Sequence, residues 1–369
     1  MSFVPSKHQA VVIVQPRAPL EILEVDTIQP AEGEIVVRVI WFASTPLNLH
    51  NADGGTLVKP PHIMSGCFAG EVALLGDLSS HPQDLHVGDK VFGFAFAESK
   101  QRPMQEYITI PAYFCGKVPE GLSLQAAATV PSNFVTAVHT VTKDLGLELP
   151  WPVPQGWAPS EEVRDAPILV WGAASSVGQY ALQVLKFWGY RNVLAVASRR
   201  HHDTLRGFGA AVCFDYTQQD VVQQILSKEA DIPYIIDCIG SLEGTLTPLS
   251  KIAGHGSKVA VMLPVIVTHA SSTQVPEYEM DVGKVLEGGW KEGVEVRGVR
   301  THFYTENEFF KDHLQPNVMP ELLARGLIQP NKQKIVEGAT LLERAEKALA
   351  LLRERDVSGE KLVWRVADE

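Results

Sequence analysis

Gly172-Ala-Ala-Ser-Ser-Val-Gly178 is the segment of this chain that most strongly indicates its fold. The apolar run Ile168-Leu-Val-Trp171 comes directly before it, and an amphipathic stretch begins at Val177. This order predicts a strand, a tight turn and the start of a helix. Such a turn directs backbone N–H groups toward an anion, and the helix dipole adds positive potential there. The usual anion at this position is the pyrophosphate of a dinucleotide.

Ser175 replaces the middle glycine of a G-x-x-G-x-x-G pattern in this stretch. Serine is small enough for close approach, and its hydroxyl can donate to a phosphate. A glycine-rich turn can also serve a purely steric need, so the motif alone leaves that alternative open. If a dinucleotide binds, the predicted contacts in the turn are Ala174, Ser175, Ser176 and Val177.

The predicted second strand, residues 193–197, ends in Ser198-Arg-Arg-His-His202. A chain that binds NAD carries an acidic residue near this point for the ribose 2′-hydroxyl, and no carboxylate is present here. A carboxylate would repel a 2′-phosphate, whereas arginine binds one through charge-assisted hydrogen bonds. The pattern therefore predicts NADPH, held by Ser198 and Arg199 first and by Arg200 behind them. A solvated basic loop is the alternative interpretation.

Length and charge limit the function classes. At 369 residues the chain is long enough for two domains, each with its own core. The net charge of −11 argues against nucleic acid as a partner. No apolar run has the length of a membrane span, and the first residues lack a signal-peptide core, so we expect no membrane partner and a cytoplasmic location. The four cysteines are far apart in sequence and predict no disulfide framework.

Two patterns of secondary structure follow one another along the chain. The first third contains short predicted strands separated by turns, at 10–14, 20–25, 35–41, 69–75 and 90–95, and then a helical region from 124 that Pro131 interrupts. From residue 168 predicted strands and helices alternate as far as 262, which indicates a parallel, doubly wound sheet. The region after Val296 is predicted to be mixed, with a helix over 341–353 and a final strand over 359–366. The proline-rich segment 149–167 is predicted to be an insertion, with a surface linker as the alternative.

Several short motifs together resemble those of medium-chain dehydrogenases/reductases of the quinone-oxidoreductase type, over nearly the full length. Within that family the chain is most similar to the fungal trans-acting enoyl reductases of polyketide biosynthesis. The resemblance implies an α/β fold with two domains: a β-rich partial barrel (GroES-like) of residues 1–130 and 303–369, and a Rossmann domain of residues 131–302 that binds NADPH. The motifs are Ala69-Gly-Glu-Val72, Val87-Gly-Asp-Lys-Val-Phe-Gly93, Ser123-Leu-Gln-Ala-Ala-Ala128, the 172–178 turn, Phe214-Asp-Tyr216, Ile236-Asp-Cys238 and Ser358-Gly-Glu-Lys-Leu362.

The residue types argue against a catalytic zinc. Zinc-dependent members of the resembled family carry a cysteine early in the barrel and a Gly-His-Glu near residue 66, whereas this chain has Ser44-Thr-Pro46 and Ser65-Gly-Cys-Phe68. His62 and Cys67 are at most a fragment of a four-ligand site. We therefore predict no metal.

The resemblance also implies residues near the nicotinamide. An Asn-Pro-x-Asp-x-Lys stretch of the enoyl reductases corresponds to Thr45-Pro-Leu-Asn-Leu-His50, so His50 takes the place of a lysine. Thr136 matches a threonine that faces the nicotinamide, and it is the second candidate catalytic residue. A surface-loop histidine and a helix-capping or ribose-contacting threonine are the alternatives. The further cofactor contacts that the resemblance implies are Pro46, Asn48, Thr136, Tyr216, Ile239, Leu263 and Lys361.

The hypothesis for the reaction is reduction of the C=C bond of an α,β-unsaturated carbonyl, most simply an enoyl thioester on a polyketide synthase carrier domain. Hydride addition to the β-carbon generates an enolate, whose oxygen needs donors from His50, Thr136 or a backbone N–H. The α-carbon then needs a proton from His50, Tyr113 or water. An NADPH-dependent quinone or enone reductase of free small molecules and a non-catalytic NADPH-binding protein are the alternatives. Monomer and homodimer are both left open.

Overall fold

The computed structural model describes residues 4–79 and 84–367, and the chain divides into two compact units. The first unit consists of Met1–Ser132, Ala270–Val275 and His302–Glu369, and the second of Asn133–His269 and Pro276–Thr301.

The segment 270–275 is the main difference from the predicted boundaries, because the sequence placed it in the cofactor domain. Arg17 holds this segment in the first unit: its Nη1 donates to Gln274 O at 2.9 Å and its Nη2 to Ser271 O at 3.1 Å. Such a contact between residues more than 250 positions apart leaves no local signal in the sequence. Elsewhere the predicted junctions at 130/131 and 302/303 lie one or two residues from those of the structure.

Two sheets build most of the first unit. Their strands pair antiparallel, except for one parallel pair at the edge of the larger sheet. Long stretches of its strands are buried on both faces, so Glu34–Ala43 contains almost no exposed residue. The larger sheet has the order Lys332–Ile335, Glu360–Arg365, Glu34–Ala43, Gly66–Leu75, Lys90–Ala95 and Cys115–Lys117, with Tyr107–Pro111 also paired to Glu34–Ala43; the smaller has Glu21–Asp26, Lys7–Ile13 and His62–Ile63. The α-helices are Pro46–Gly54, Leu124–Ala128, Glu308–His313, Met319–Ala324 and Leu341–Arg353.

A buried carboxylate joins two of these helices. Asp53, 2% exposed, accepts from Arg353 Nε at 2.8 Å and from its Nη2 at 2.7 Å, and Arg17 Nη1 lies 3.5 Å away. A paired geometry of this kind compensates much of the cost of burying the charge. It holds helix Pro46–Gly54, which carries His50, against the end of helix Leu341–Arg353.

A six-stranded parallel sheet forms the second unit, which confirms the predicted doubly wound fold. If the strands are numbered along the chain, their order across the sheet is 3-2-1-4-5-6. The strand order therefore reverses between Ile168–Trp171 and Tyr234–Asp237. Across the sheet the strands are Val212–Phe214, Val193–Val196, Ile168–Trp171, Tyr234–Asp237, Lys258–Met262 and Glu295–Val299. The helices between them are Ser176–Phe187, His202–Phe208, Val221–Lys228 and Thr247–Ile252.

Two features of the second unit were missed in the sequence prediction. The sixth strand, Glu295–Val299, was missed because its charged residues and glycine suit an exposed sheet edge and hide the apolar pattern. The hairpin of Val265–Thr268 and Glu277–Glu279 was also missed. The predicted break at Pro131 matches the interruption between helix Leu124–Ala128 and helix Pro131–His139, and Pro131 starts the second helix, where its fixed φ is favourable.

The proline-rich segment 149–167 is attached to the second unit and is not a free linker. Trp188 Nε1 donates to Pro150 O at 3.0 Å, and the Trp151 ring lies 6.4 Å from both Phe187 and Trp188. The segment also contains a short helix, Glu161–Arg164. These contacts cover the end of helix Ser176–Phe187.

A buried aspartate makes the stability of the second unit depend on pH. Asp144, 7% exposed, ends the π-helical turn Thr140–Asp144, and its Oδ2 has no hydrogen-bond partner within residues 4–79 and 84–367. Burial raises the pKa of Asp144 from 3.8 to about 7, against the opposing charges of Arg297 and Lys143.

We expect Asp144→Asn to stabilise the protein, and more strongly at high pH. Because the folded-state pKa is raised, the buried charge costs nothing below about pH 4, and its cost grows until the pH passes about 7. The shift from 3.8 to about 7 sets an upper limit near 4 kcal/mol, so the gain at pH 8 should be about 1–4 kcal/mol. Urea unfolding at pH 5 and pH 8 measures it.

Asp203→Asn is the control, because the Asp203 carboxylate is exposed and pairs with Arg206 at the surface. Its effect should be small and equal at both pH values. A gain for Asp144→Asn that does not grow between pH 5 and pH 8 would contradict the assignment.

Candidate functional site

The turn after the first parallel strand leaves no room for side chains at two positions. Gly172 has a φ of +75°, and a Cβ there would lie 2.5 Å from Ile239 Cγ1. A Cβ on Gly178 would lie 2.6 Å from Ala173 Cα and 2.7 Å from Gly172 O. Because the latter contacts are with backbone atoms, any side chain at 178 would force the helix away from the turn.

Ser175 is the N-cap of helix Ser176–Phe187, and its Oγ accepts from Gly178 N at 3.2 Å. This explains why a serine stands where the family pattern has glycine: it satisfies one of the free N–H groups of the first turn. Its hydroxyl proton remains a donor. The predicted contacts Ala174, Ser176 and Val177 lie in the same partly exposed loop and first turn.

The arginines predicted to bind a phosphate lie beside this turn. The neighbouring strand pairs Val196 with Trp171, so both strands end at the same sheet edge. Ser198 follows as the N-cap of the 3₁₀ turn Arg199–His201, and the side chains of Arg199 and Arg200 are exposed. Exposed guanidinium groups at this edge are free to meet a ligand.

Two carboxylates at the strand ends were not singled out as site residues, and both hold loops in place. Asp215 accepts from Thr217 N at 3.0 Å and Thr217 Oγ1 at 2.8 Å. These bonds, with a further one from the backbone N–H of Arg199, hold the pKa of Asp215 below its usual value. The carboxylate therefore positions the loop that carries Arg199. The sequence signal was its place directly after the third strand, next to the predicted contact Tyr216, which is 53% exposed.

Asp237, at the end of the fourth strand, likewise holds the following turn in place. It is fully buried and accepts from Ile239 N and Gly240 N, both at 3.0 Å, and from Thr245 Oγ1 at 2.5 Å. Burial raises the pKa of Asp237 to about 6 despite these bonds. The turn that it holds presents Ile239, 38% exposed, beside Gly172.

The predicted residues of the second unit that follow its strands all lie at the carboxyl ends of those strands. Because every strand of the sheet is parallel, these ends are on the same side of the sheet. Leu263 follows the fifth strand directly, where it packs against Gly298. The structure thus places at the carboxyl ends of the parallel strands the residues Ala174, Ser175, Ser176, Val177, Ser198, Arg199, Arg200, Tyr216, Ile239 and Leu263.

Thr136 lies in helix Pro131–His139 and is 7% exposed. It is the sixth residue of that helix, so the helix-capping alternative was wrong. Its Oγ1 lies 2.9 Å from Thr301 Oγ1, a residue that sequence reasoning missed. In a pair of hydroxyls one donates to the other.

In the first unit, helix Pro46–Gly54 carries three of the predicted residues. Asn48 Oδ1 accepts from Thr45 N at 2.8 Å and its Nδ2 donates to Ser65 O at 3.0 Å, so both ends of the amide bind the protein. Pro46 is exposed at the start of the helix. His50 is 8% exposed, which shows that the surface-loop alternative was wrong.

Lys361 is almost completely buried, at 3% exposed, in the strand Glu360–Arg365. Its Nζ lies 3.8 Å from Cys67 Sγ, and Cys67 Sγ lies 2.9 Å from Ser132 Oγ. Burial lowers the pKa of Lys361. The Lys361 amine thus lies against the thiol at the position where the resembled family's zinc enzymes carry Gly-His-Glu.

No three His, Cys, Asp or Glu side chains come together as metal ligands within residues 4–79 and 84–367. His62, considered with Cys67 as a fragment of a site, has its Nδ1 3.2 Å from Arg102 Nη1. An arginine can only donate, so this nitrogen is occupied as an acceptor.

Tyr113 lies in the 3₁₀ turn Ala112–Phe114, with Lys311 Nζ 5.1 Å from its ring centroid. Burial raises the pKa of Tyr113, so its hydroxyl is a weaker acid than a free tyrosine. This makes it a poorer proton donor than a histidine near neutral pH.

Comparison with known proteins agrees with this architecture. Residues 31–140 match the model of the alcohol dehydrogenase GroES-like domain. The chain is 32% identical over 280 residues to uncharacterized protein YLR460C of Saccharomyces cerevisiae, covering 70% of this chain and 71% of that one. It is 26% identical over 338 residues to lovC of Aspergillus terreus, the enoyl reductase component of lovastatin nonaketide synthase, covering 90% and 89%.

Among solved structures, the CurK enoyl reductase superposes with a TM-score of 0.72 at 14% identity, covering 97% of this chain and 99% of that one. At that identity the likeness concerns the fold. Within residues 4–79 and 84–367, none of the helices has the length and apolar character needed to cross a bilayer.

We expect Gly178→Ala to abolish dinucleotide binding, because the added Cβ would clash with backbone atoms at 2.6 and 2.7 Å and displace the first helical turn. Gly207→Ala is the matched control, since a Cβ there meets nothing within 4 Å. Titration with NADPH followed by fluorescence measures the loss, which should be about 100-fold or more in Kd if the turn's N–H groups bind the pyrophosphate. Unchanged affinity in folded Gly178→Ala would refute this role of the turn.

Proposed function

This chain belongs to the medium-chain dehydrogenase/reductase family and is an oxidoreductase with a nicotinamide cofactor, and from that premise we propose that it is an NADPH-dependent enoyl reductase. The substrate we propose is an α,β-unsaturated thioester on the carrier domain of a polyketide synthase. The observation that carries the proposal is the set of residues around the 172–178 turn at one sheet edge. The enoyl reductase names of relatives at 25–28% identity support the reaction class.

The second unit has the groups that a dinucleotide requires. The absence of side chains at Gly172 and Gly178 leaves a backbone cradle, and the Ser175-capped helix supplies N–H donors for the pyrophosphate. Arg199 and Arg200 suit an additional phosphate on the ribose, because each offers a forked set of charged donors.

A bound nicotinamide would supply the hydride, and side chains of this protein would stabilise the negative charge that then develops on the enolate oxygen. The enolate oxygen needs a donor placed in advance, which the Thr136–Thr301 hydroxyl pair or the His50 ring can provide. The α-carbon needs a proton, which the imidazole of His50 can donate. Burial of His50 keeps water from competing for its contacts.

Replacement of Arg199 and Arg200 by glutamine should raise the KM for NADPH by about 10–100-fold and leave the KM for NADH within about twofold, because two charge-assisted phosphate contacts are lost. Steady-state kinetics with both coenzymes measure this change. Arg191→Gln, an exposed arginine of the same unit, is the control and should change neither value. A wild-type protein that prefers NADH would overturn the proposed coenzyme.

His50→Gln should lower kcat with an enoyl thioester by about 100-fold or more while KM changes little, because a proton donor acts on the transition state. NADPH absorbance measures the rate with enoyl groups on carrier protein or pantetheine, and with free enones and quinones. His86→Gln is the control, because the His86 side chain is 71% exposed in the same unit. Reduction of free quinones with no turnover of thioesters would instead identify the quinone reductase alternative, and tight NADPH binding without any turnover the non-catalytic one.

A further inference from the structure

A partly buried arginine in the first unit, Arg102, carries a charge that no carboxylate of the described residues compensates. Arg102 Nε donates to Phe96 O at 3.1 Å, its Nη2 to Ala97 O at 3.0 Å and its Nη1 to His62 Nδ1 at 3.2 Å. No Asp or Glu in the described ranges forms an ion pair with it, and burial lowers the pKa of Arg102. These bonds use three of its five N–H groups, so two remain.

His62, which accepts from Arg102, offers a second and uncharged N–H donor next to the guanidinium group. Because Arg102 can only donate, Nδ1 of His62 must accept, and the hydrogen of the neutral ring lies on Nε2. Nothing in the described part of the chain accepts from that Nε2–H. Burial, with the Arg102 charge, lowers the pKa of His62 to about 4. The imidazole is therefore an uncharged N–H donor at neutral pH.

His302 is the third residue of this group, and its ring packs against two phenylalanines. Its ring meets Phe96 edge-on at 4.6 Å between centroids and lies 5.8 Å from the Phe94 ring. Neither of its ring nitrogens has a hydrogen-bond partner among residues 4–79 and 84–367. Burial, with the charge of Arg102, lowers the pKa of His302 to about 4, so this ring is also neutral and keeps one N–H.

We propose that Arg102, His62 and His302 bind an oxyanion of the acyl substrate, either the phosphate of a carrier's pantetheine arm or a carboxylate on the acyl chain. The two remaining N–H groups of Arg102 and one N–H group on each neutral imidazole suit such an oxyanion, and the aromatic rings lower the local dielectric and strengthen the bonds. His62 is three residues before Ser65, whose carbonyl binds Asn48 of the helix that carries His50. Three extended residues span about 10 Å.

This inference rests on the proposed function, because it names the charged group that the enoyl substrate carries. The test compares the same enoyl chain on pantetheine, on 4′-phosphopantetheine, and on pantetheine with a terminal carboxylate on the chain. We expect wild type to show a KM at least about tenfold lower for one anionic substrate than for the neutral one. Which of the two anionic substrates shows the advantage identifies the oxyanion.

In Arg102→Gln the anionic advantage should disappear while KM for the neutral pantetheine thioester stays within about twofold. A merely structural arginine would instead change all three KM values together. His302→Phe, which can keep the ring contacts with Phe94 and Phe96, should also reduce the advantage, and it supplies the test if Arg102→Gln does not fold. Arg325→Gln, an exposed arginine paired with Glu321, is the control and should keep the advantage.

Equal KM values for the anionic and neutral substrates in wild type would overturn the proposal, as would an advantage that survives both substitutions. Calorimetric titration of the NADP⁺-saturated protein with inorganic phosphate separates this proposal from the proposed function. Phosphate binding that Arg102→Gln removes, in a protein that reduces no thioester, would refute the function and support the site. Thioester reduction without any Arg102-dependent effect of the anion would refute the site alone.

Discussion

The close approach of a helix to a backbone turn at Gly178 is the constraint on which the second unit depends. A side chain at this position would overlap backbone atoms of Gly172 and Ala173, so the helix starts where it does only because residue 178 has none. Ser175 then caps the helix and satisfies an N–H group of its first turn. The positive end of the helix dipole consequently lies at the reversal of strand order, where parallel sheets bind anionic ligands.

Buried and half-buried carboxylates hold the loops around that point. Asp237 and Asp215 each accept hydrogen bonds from the turn that follows their own strand, and the carboxylate of Asp215 also holds the backbone of Arg199. Acidic residues at strand ends are easily interpreted as ligand contacts, yet here they position their neighbours. The exposed side chains, Arg199 and Ile239 among them, are left to meet a ligand.

The first unit relies on charged groups that are paired across long stretches of sequence. Asp53 binds Arg353, and Lys361 lies against Cys67, in each case about 300 positions away. Burying such groups is costly unless each finds a partner. Arg102 differs because, within the part of the chain that the structure describes, its charge meets only carbonyl oxygens and a neutral imidazole.

Elements whose signals are local could be predicted from the amino-acid sequence alone. Strand Ile168–Trp171 and helix Leu341–Arg353 have the bounds that apolar periodicity predicts, and the 172–178 turn was identified from its glycines. Only the tertiary structure decided the burial of His50, the hydroxyl pair of Thr136 with Thr301, and the edge strand Glu295–Val299. The physical reason is that caps, turns and periodicity act between near neighbours. Burial and side-chain pairing depend instead on residues that folding brings together from distant parts of the chain.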